Sequence, residues 1–88
     1  VNNFVNYLYQ IASDLMNEQS LSFDLLKPLI LETANKINSL TPAEAQTGPA
    51  KRNDKKTIEK QLHLLEESPY KNIYQDITNS ILKKYNNH

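Results

Sequence analysis

Apolar residues recur at helical spacing in every long segment of this 88-residue chain, and no segment alternates apolar and polar residues over a sustained stretch. Because a half-buried β-strand needs a period of two, the pattern predicts an all-α fold. Prolines and polar caps divide it into four substantial helices and one short helix, a small bundle that is antiparallel where the loops are short. A chain of this length corresponds to one helical domain, residues 1–88.

The first predicted helix covers residues 1–18, and its apolar stripe starts at the first residue without a Ser, Thr, Asp or Asn cap before it. We therefore expect the chain to be a fragment that begins inside or just before a helix. Tyr7 and Tyr9 widen the stripe, which indicates a helix that is central or that faces a partner.

The second predicted helix follows a cap at Ser20 or Ser22. A kink or break is expected near residues 24–28, because Pro28 lacks a backbone N–H and clashes with the preceding turn. The predicted buried stripe of this helix comprises Leu26, Leu29, Ile30, Thr33, Ile37 and Leu40. After it, residues 41–44 read Thr-Pro-Ala-Glu, a capping box with proline at the first helical position, which predicts a short helical turn.

A breaker segment at residues 46–50 precedes the last two predicted helices, at about 54–67 and about 69–85. Asn53 or Asp54 caps the first of them, and a Ser-Pro pair precedes the second. Their inward positions are Ile58, Leu62 and Leu65 in the first, and Tyr70, Ile73, Tyr74, Ile77, Ile81 and Leu82 in the second. Residues 86–88 are expected to form a frayed tail.

Composition excludes several kinds of site. With one glycine the chain cannot carry a GxGxxG fingerprint, a P-loop or GxSxG, and with no cysteine it has no disulfide, thiolate metal site or thiol nucleophile. His63 and His88 are far apart in sequence, so no metal site is predicted. Ten basic and ten acidic residues cancel, which gives no case for nucleic acid or an anionic membrane. The cations concentrate in residues 51–60, a run that we interpret as a solvated helix face.

No apolar run approaches the roughly 18 residues that a membrane span needs, and no signal peptide pattern is present. We therefore expect a cytoplasmic location and no membrane partner.

The remaining chemistry lies in residues 46–54, which contain the only glycine and the only arginine. Gly48 permits close approach by another group, and Arg52 offers a planar fork for a carboxylate or phosphate. Asp54 either orients that arginine or caps the next helix. Two further interpretations stay open, a plain connector between helices and an anion site that uses Arg52 with Lys51.

Two other sets of residues have alternative roles. Glu32 is either an acid/base group in a cleft or, as we favour, the surface partner of Lys36 at i,i+4. The tyrosines at positions 7, 9, 70, 74 and 85 are expected to pack with their hydroxyls at the rim rather than to line a site.

A resemblance to one bacterial family is carried by Asn3-Phe4, Pro28-Leu29, Glu32-Thr33 and the run Gln46-Thr47-Gly48-Pro49-Ala50-x-Arg52-x-Asp54. The family is the helical C-terminal domain, domain of unknown function 2520, that follows a Rossmann-like NADP-binding domain in oxidoreductases akin to ketopantoate reductase and pyrroline-5-carboxylate reductase. The resemblance implies the all-α fold of the 6-phosphogluconate dehydrogenase C-terminal domain. It also implies a domain that covers the substrate and forms a dimer.

The resemblance further implies a set of substrate-binding residues, with no catalytic residue assigned. They are Asn3, Glu32, Gln46, Thr47, Gly48, Arg52 and Asp54. NADP is implied for the longer parent, whereas this chain is expected to bind no cofactor or metal and to be inactive alone. It should expose apolar surface where the missing Rossmann-like domain packs, and should self-associate as a homodimer or otherwise. The alternative is a non-catalytic helical interaction module.

Overall fold

The computed structural model describes residues 1–86, and every regular element within that range is helical. The elements are α1 (Asn2–Glu18), a 3₁₀ turn (Phe23–Leu26), α2 (Lys27–Lys36), α3 (Pro42–Ala45), α4 (Lys55–Leu64) and α5 (Lys71–Asn86). The all-α prediction, with four substantial helices and one short helix, is confirmed. The chain divides into two compact units, Val1–Ala45 and Gln46 onward, and each is described by itself.

The connection from α1 to α2 contains the break that Pro28 predicts. Ser20 adopts a positive φ of 57° just after α1, so it does not cap the next element. Ser22 does, because its Oγ accepts a hydrogen bond from the Asp24 N–H at 3.1 Å. Pro28 then lies in the first turn of α2, where a missing N–H leaves no helical hydrogen bond unmade.

The predicted buried stripe of α2 is largely wrong. Leu29 is 60% exposed and Ile37 is 56% exposed, and Thr33 and Leu40 are exposed as well. In the first unit α2 packs against the adjoining 3₁₀ turn, which is too short to cover a ten-residue helix. The Thr33 hydroxyl donates to the Leu29 carbonyl at 2.9 Å, so its hydrogen bond is made within α2 and needs no partner on another element.

The two ends of α1 differ in burial. Ile11 is buried, and the residues that follow it are half-buried as far as Met16. The first half exposes apolar side chains, with Phe4 72% exposed. We call this surface the α1 apolar face, which comprises Val1, Phe4, Val5, Tyr7 and Leu8. An exposed apolar surface is what the sequence predicts, whereas the partner that covers it stays a prediction.

The capping box before α3 is confirmed in both directions. The Thr41 N–H donates to Glu44 Oε1 at 2.9 Å, and the Glu44 N–H donates to Thr41 Oγ1 at 3.2 Å. The backbone and side-chain hydrogen bonds from Thr41 hold the pKa of Glu44 below its ordinary value of 4.5. A short helix of four residues therefore forms where the sequence alone places it.

Replacing Thr41 with valine is expected to lower the free energy of unfolding by about 1 kcal/mol, since valine keeps the shape but accepts no hydrogen bond. Thr41→Ser, which keeps the hydroxyl, is the matched control. Because the pKa of Glu44 is lowered in the folded state, its ionised carboxylate stabilises the fold above pH 4.5. This contribution to the free energy of unfolding is lost as the pH falls below that value. Urea denaturation at pH 7 and pH 3 should show this loss in the wild type and a smaller one in Glu44→Gln. Equal stability of the valine and serine variants would contradict the prediction.

In the second unit α4 packs against α5. Ile58 is buried, Leu62 and Leu65 are half-buried as predicted, and α4 ends at Leu64, before the predicted boundary at 67. The Tyr74 hydroxyl donates to the Gln61 side-chain oxygen and so joins the two helices.

Five of the six predicted inward residues of the last helix are half-buried, and the exception is Ile77, which is 41% exposed. The most buried residue of α5 is Thr78, at 7% exposed, which the prediction did not include. Tyr74, Thr78 and Ile81 follow one another at i, i+4 and i+7, so they share a face, and Ile77 falls at its edge.

The predicted tail at 86–88 is wrong at its first residue, because Asn86 belongs to α5. Residues 87 and 88, including His88, lie outside the described range. His63 has an 83% exposed side chain 3.5 Å from Glu66, and no cluster of potential metal ligands occurs among the described residues. No helix in that part of the chain is both long and apolar enough to cross a membrane.

Candidate functional site

The segment that links α3 to α4, residues 46–54, is referred to below as the arginine loop. Gly48 has a φ of +100°, a conformation that side-chain-bearing residues rarely adopt, while the space where a Cβ would lie is open. After Gly48 the backbone winds tightly: the Arg52 N–H donates to the Gly48 carbonyl at 3.3 Å, and the Asp54 N–H donates to the Pro49 carbonyl at 2.8 Å. The glycine is therefore required by the backbone conformation rather than by crowding.

The middle of the arginine loop is held by the last turn of α5. Ala50 is only 5% exposed, and its carbonyl accepts a hydrogen bond from the Asn86 side-chain amide at 2.8 Å. Next to it, the Lys51 ammonium lies 4.0 Å from the centre of the Tyr85 ring. A shallow open groove of about 410 Å³ adjoins these contacts, lined by Asn53, Leu82, Lys83 and Asn86.

Asp54 performs both of the roles that the sequence left open. As the cap of α4 it accepts from the Thr57 N–H at 3.2 Å and from the Thr57 hydroxyl at 2.7 Å. Its Oδ2 also accepts a hydrogen bond from the Arg52 guanidinium at 3.4 Å. The Thr57 hydroxyl and then the Thr57 N–H are the main causes that lower the pKa of Asp54 below 3.8, with a smaller contribution from Arg52. Asn53, the other candidate cap, instead adopts a positive φ of 56° before the helix.

Arg52 is held loosely. Its side chain is 60% exposed, and in the described part of the chain the guanidinium makes one ion pair, the 3.4 Å contact with Asp54. An exposed pair of this kind contributes little to stability. A guanidinium has five N–H donors, and the contact with Asp54 uses one of its two terminal nitrogens, so the exposed side chain keeps donors that suit a planar anion.

The arginine loop groups five of the seven predicted substrate-binding residues: Gln46, Thr47, Gly48, Arg52 and Asp54. Within it the Gln46 amide donates to the Thr47 carbonyl at 3.1 Å, and Thr47 is exposed. Asn3 and Glu32 belong to the first unit, where both are exposed, on α1 and α2. No ion pair joins Glu32 to Lys36 among the described residues, so that predicted surface pair is wrong.

Tyr85 and Asn86 are the residues of this site that sequence reasoning missed. The sequence pattern predicts a tail at Asn86 and a packed ring with its hydroxyl at the rim for Tyr85, yet both residues contact the arginine loop. The Ala50–Asn86 contact joins residues 36 positions apart. Helical spacing carries information only over neighbouring turns, so no local signal pairs these positions.

The comparisons with known proteins agree with this arrangement of helices. The crystal structure of a putative NADP oxidoreductase from Bacteroides fragilis aligns with 92% of this chain at 40% identity and a TM-score of 0.88. The chain spans 32% of the length of that protein. No curated protein matches the chain. The match to the family described as a domain of unknown function (DUF2520) covers residues 1–81, and the chain belongs to this family.

Proposed function

We propose that the chain is the C-terminal helical domain of an NADP oxidoreductase, where it covers the substrate and contributes to dimerisation but has no reductase activity by itself. One observation carries the proposal: 92% of the chain aligns, at 40% identity, with about a third of a longer protein whose crystal structure is that of a putative NADP oxidoreductase. The remaining two thirds of that protein are long enough to form a separate nucleotide-binding domain.

The chain's own residues do not fit NADP. A dinucleotide fingerprint places several glycines between a strand and the start of a helix. This chain has one glycine, and the described residues contain no strand. We therefore assign NADP to a preceding Rossmann-like domain of the parent protein and assign neither a cofactor nor a metal to this chain.

The arginine loop supports a substrate-covering role. The 60% exposed Arg52 side chain is the planar cation of the loop, suited to a substrate carboxylate or phosphate. Gly48 keeps the space beside its backbone open, and the exposed Thr47 hydroxyl lies next to it. Asp54 anchors the loop through Thr57 and at the same time contacts Arg52, so the carboxylate beside the cation is fixed at the start of α4.

The α1 apolar face supports the assembly role. Its members include Phe4, 72% exposed, and Leu8, 42% exposed, and contiguous apolar surface of this kind typically marks an interaction site. In the proposed parent protein the preceding domain covers this face, and the chain alone buries it by self-association.

A non-catalytic helical interaction module is the second candidate. The contacts of Asp54 support this second candidate, because its carboxylate binds the start of α4 and a neighbouring arginine as an ordinary helix cap does. In that case the arginine loop is only a connector. The two candidates differ at Arg52, whose replacement changes ligand binding in the first and not in the second.

The proposal is tested by the reading frame that encodes the chain. The expected result is an upstream domain that opens with a strand followed by GxGxxG. The end of that domain should lie no more than a short linker before α1. An upstream region that encodes no nucleotide-binding pattern would overturn the oxidoreductase assignment and leave the interaction module.

A further inference from the structure

The end of α5 fastens the middle of the arginine loop at two adjacent points. Asn86 donates its amide to the Ala50 carbonyl at 2.8 Å, and Lys51 places its ammonium 4.0 Å from the centre of the Tyr85 ring. We refer to these two contacts together as the clasp. It attaches the loop to a distant part of the chain, whereas the hydrogen bonds that the loop makes within residues 46–58 are local.

The Ala50 carbonyl is the central atom of the clasp. It accepts from the Asn53 N–H at 3.2 Å as well as from Asn86, so both of its lone pairs are used. Ala50 is 5% exposed, so little water can replace a lost partner. The backbone turn that carries Arg52 lies between Ala50 and Asn53, and it is therefore held through the same oxygen atom that Asn86 binds.

The contact between Lys51 and the Tyr85 ring gives the two neighbouring cations, Lys51 and Arg52, different environments. Lys51 is half-buried and directed onto the Tyr85 ring, which favours a cation over its face. Arg52, the next residue, has a 60% exposed side chain. In the clasp Lys51 therefore has a structural contact, and Arg52 is the cation that is exposed to a ligand.

We propose that Tyr85 and Asn86 are positioning residues of the site, and that they act by fixing the turn from which Arg52 projects. The effect on a ligand rests on the proposed function, whereas the effect on the conformation of the loop does not. The interpretation in which Lys51 and Arg52 together bind an anion is replaced by a single ligand-facing arginine.

The test uses the 88-residue chain labelled with ¹⁵N, with malonate and inorganic phosphate as anion probes. Asn86→Ala removes the amide, and Asn79→Ala changes an exposed asparagine of the same helix as its matched control. Lys51→Met removes the cation, while Lys51→Arg keeps a cation that can lie over the ring. Backbone amide signals of Gly48 and Arg52 and the side-chain Nε signal of Arg52 report the geometry of the loop.

We expect Asn86→Ala and Lys51→Met to shift the Gly48 and Arg52 signals and to weaken binding of the better probe by about threefold to tenfold. Asn79→Ala and Lys51→Arg should leave both unchanged. Unshifted Arg52 signals in folded Asn86→Ala and Lys51→Met would overturn the inference. If the wild type binds neither probe, the ligand role of Arg52 fails, and the amide shifts still decide whether the clasp fixes the loop. Should Asn86→Ala not fold, the two Lys51 variants decide the same question.

Discussion

Ile58→Ala is expected to lower the free energy of unfolding by about 2–4 kcal/mol, because it leaves a cavity that a small core refills poorly. Ile58 is 8% exposed, and the other buried apolar residues of the described chain are Ile11 and Ala50. Domains of this size are stable by about 5–15 kcal/mol, so one substitution removes a large share of the total. Urea denaturation followed by circular dichroism measures the loss.

The control for Ile58 lies on the same helix. Leu64 is 81% exposed, so Leu64→Ala removes a comparable volume without opening a cavity and should change the free energy by less than about 0.5 kcal/mol. Ile58→Val, which removes one methyl group, should cost about 0.5–1.5 kcal/mol. Similar losses in Ile58→Ala and Leu64→Ala would contradict the assignment of Ile58, and not Leu64, to the core.

Arg52→Gln is expected to weaken binding of malonate or phosphate by tenfold or more. The substitution removes the charge and the forked donors, and a hydrogen bond to a charged group is worth about 1.5–3 kcal/mol. Arg52→Lys should recover part of the affinity, since lysine restores the charge but not the bidentate geometry. Titration followed by ¹⁵N NMR measures the change, and the melting temperature checks that each variant is folded.

The control for Arg52 tests charge alone. Lys56 is an exposed cation in the first turn of α4, so Lys56→Gln makes the same change in net charge close to the loop. We expect it to alter the dissociation constant by less than about twofold at physiological salt, because exposed charges are screened. Equal losses in Arg52→Gln and Lys56→Gln would favour general electrostatic attraction, and no loss in either would favour the connector.

The features that sequence predicts well in this chain are local. The capping box at Thr41 and Glu44, the break at Pro28 and the cap at Asp54 each involve residues within four positions of one another. The groups involved lie within about one helical turn of each other, so residue type and spacing are enough to predict them.

The features that sequence predicts poorly depend on what each helix meets. A helical stripe shows that one face is apolar, but it does not show how much of that face another element covers. Leu29 and Ile37 are apolar at the right spacing and are nevertheless exposed, because α2 packs against a short 3₁₀ turn. The same limit explains why Thr78 rather than Ile77 is the most buried residue of α5.

For the candidate site too, sequence predicts the local features and not the long-range contacts. The unusual composition of residues 46–54 was enough to identify the arginine loop, and the Arg52–Asp54 contact follows from their spacing. The clasp was not predictable, because it depends on a contact between residues 36 positions apart. Sequence therefore indicated the candidate ligand-binding groups, whereas the contacts that Tyr85 and Asn86 make with the loop required the fold.

Calorimetric titration of NADPH into the complete parent protein and, separately, into the 88-residue chain is the most direct test of the oxidoreductase assignment. We predict saturable one-to-one binding per subunit by the parent protein and no binding heat from the chain alone, because the proposal assigns the nucleotide to a preceding domain. Binding of NADPH by the isolated chain, or its absence from the parent protein, would contradict the assignment.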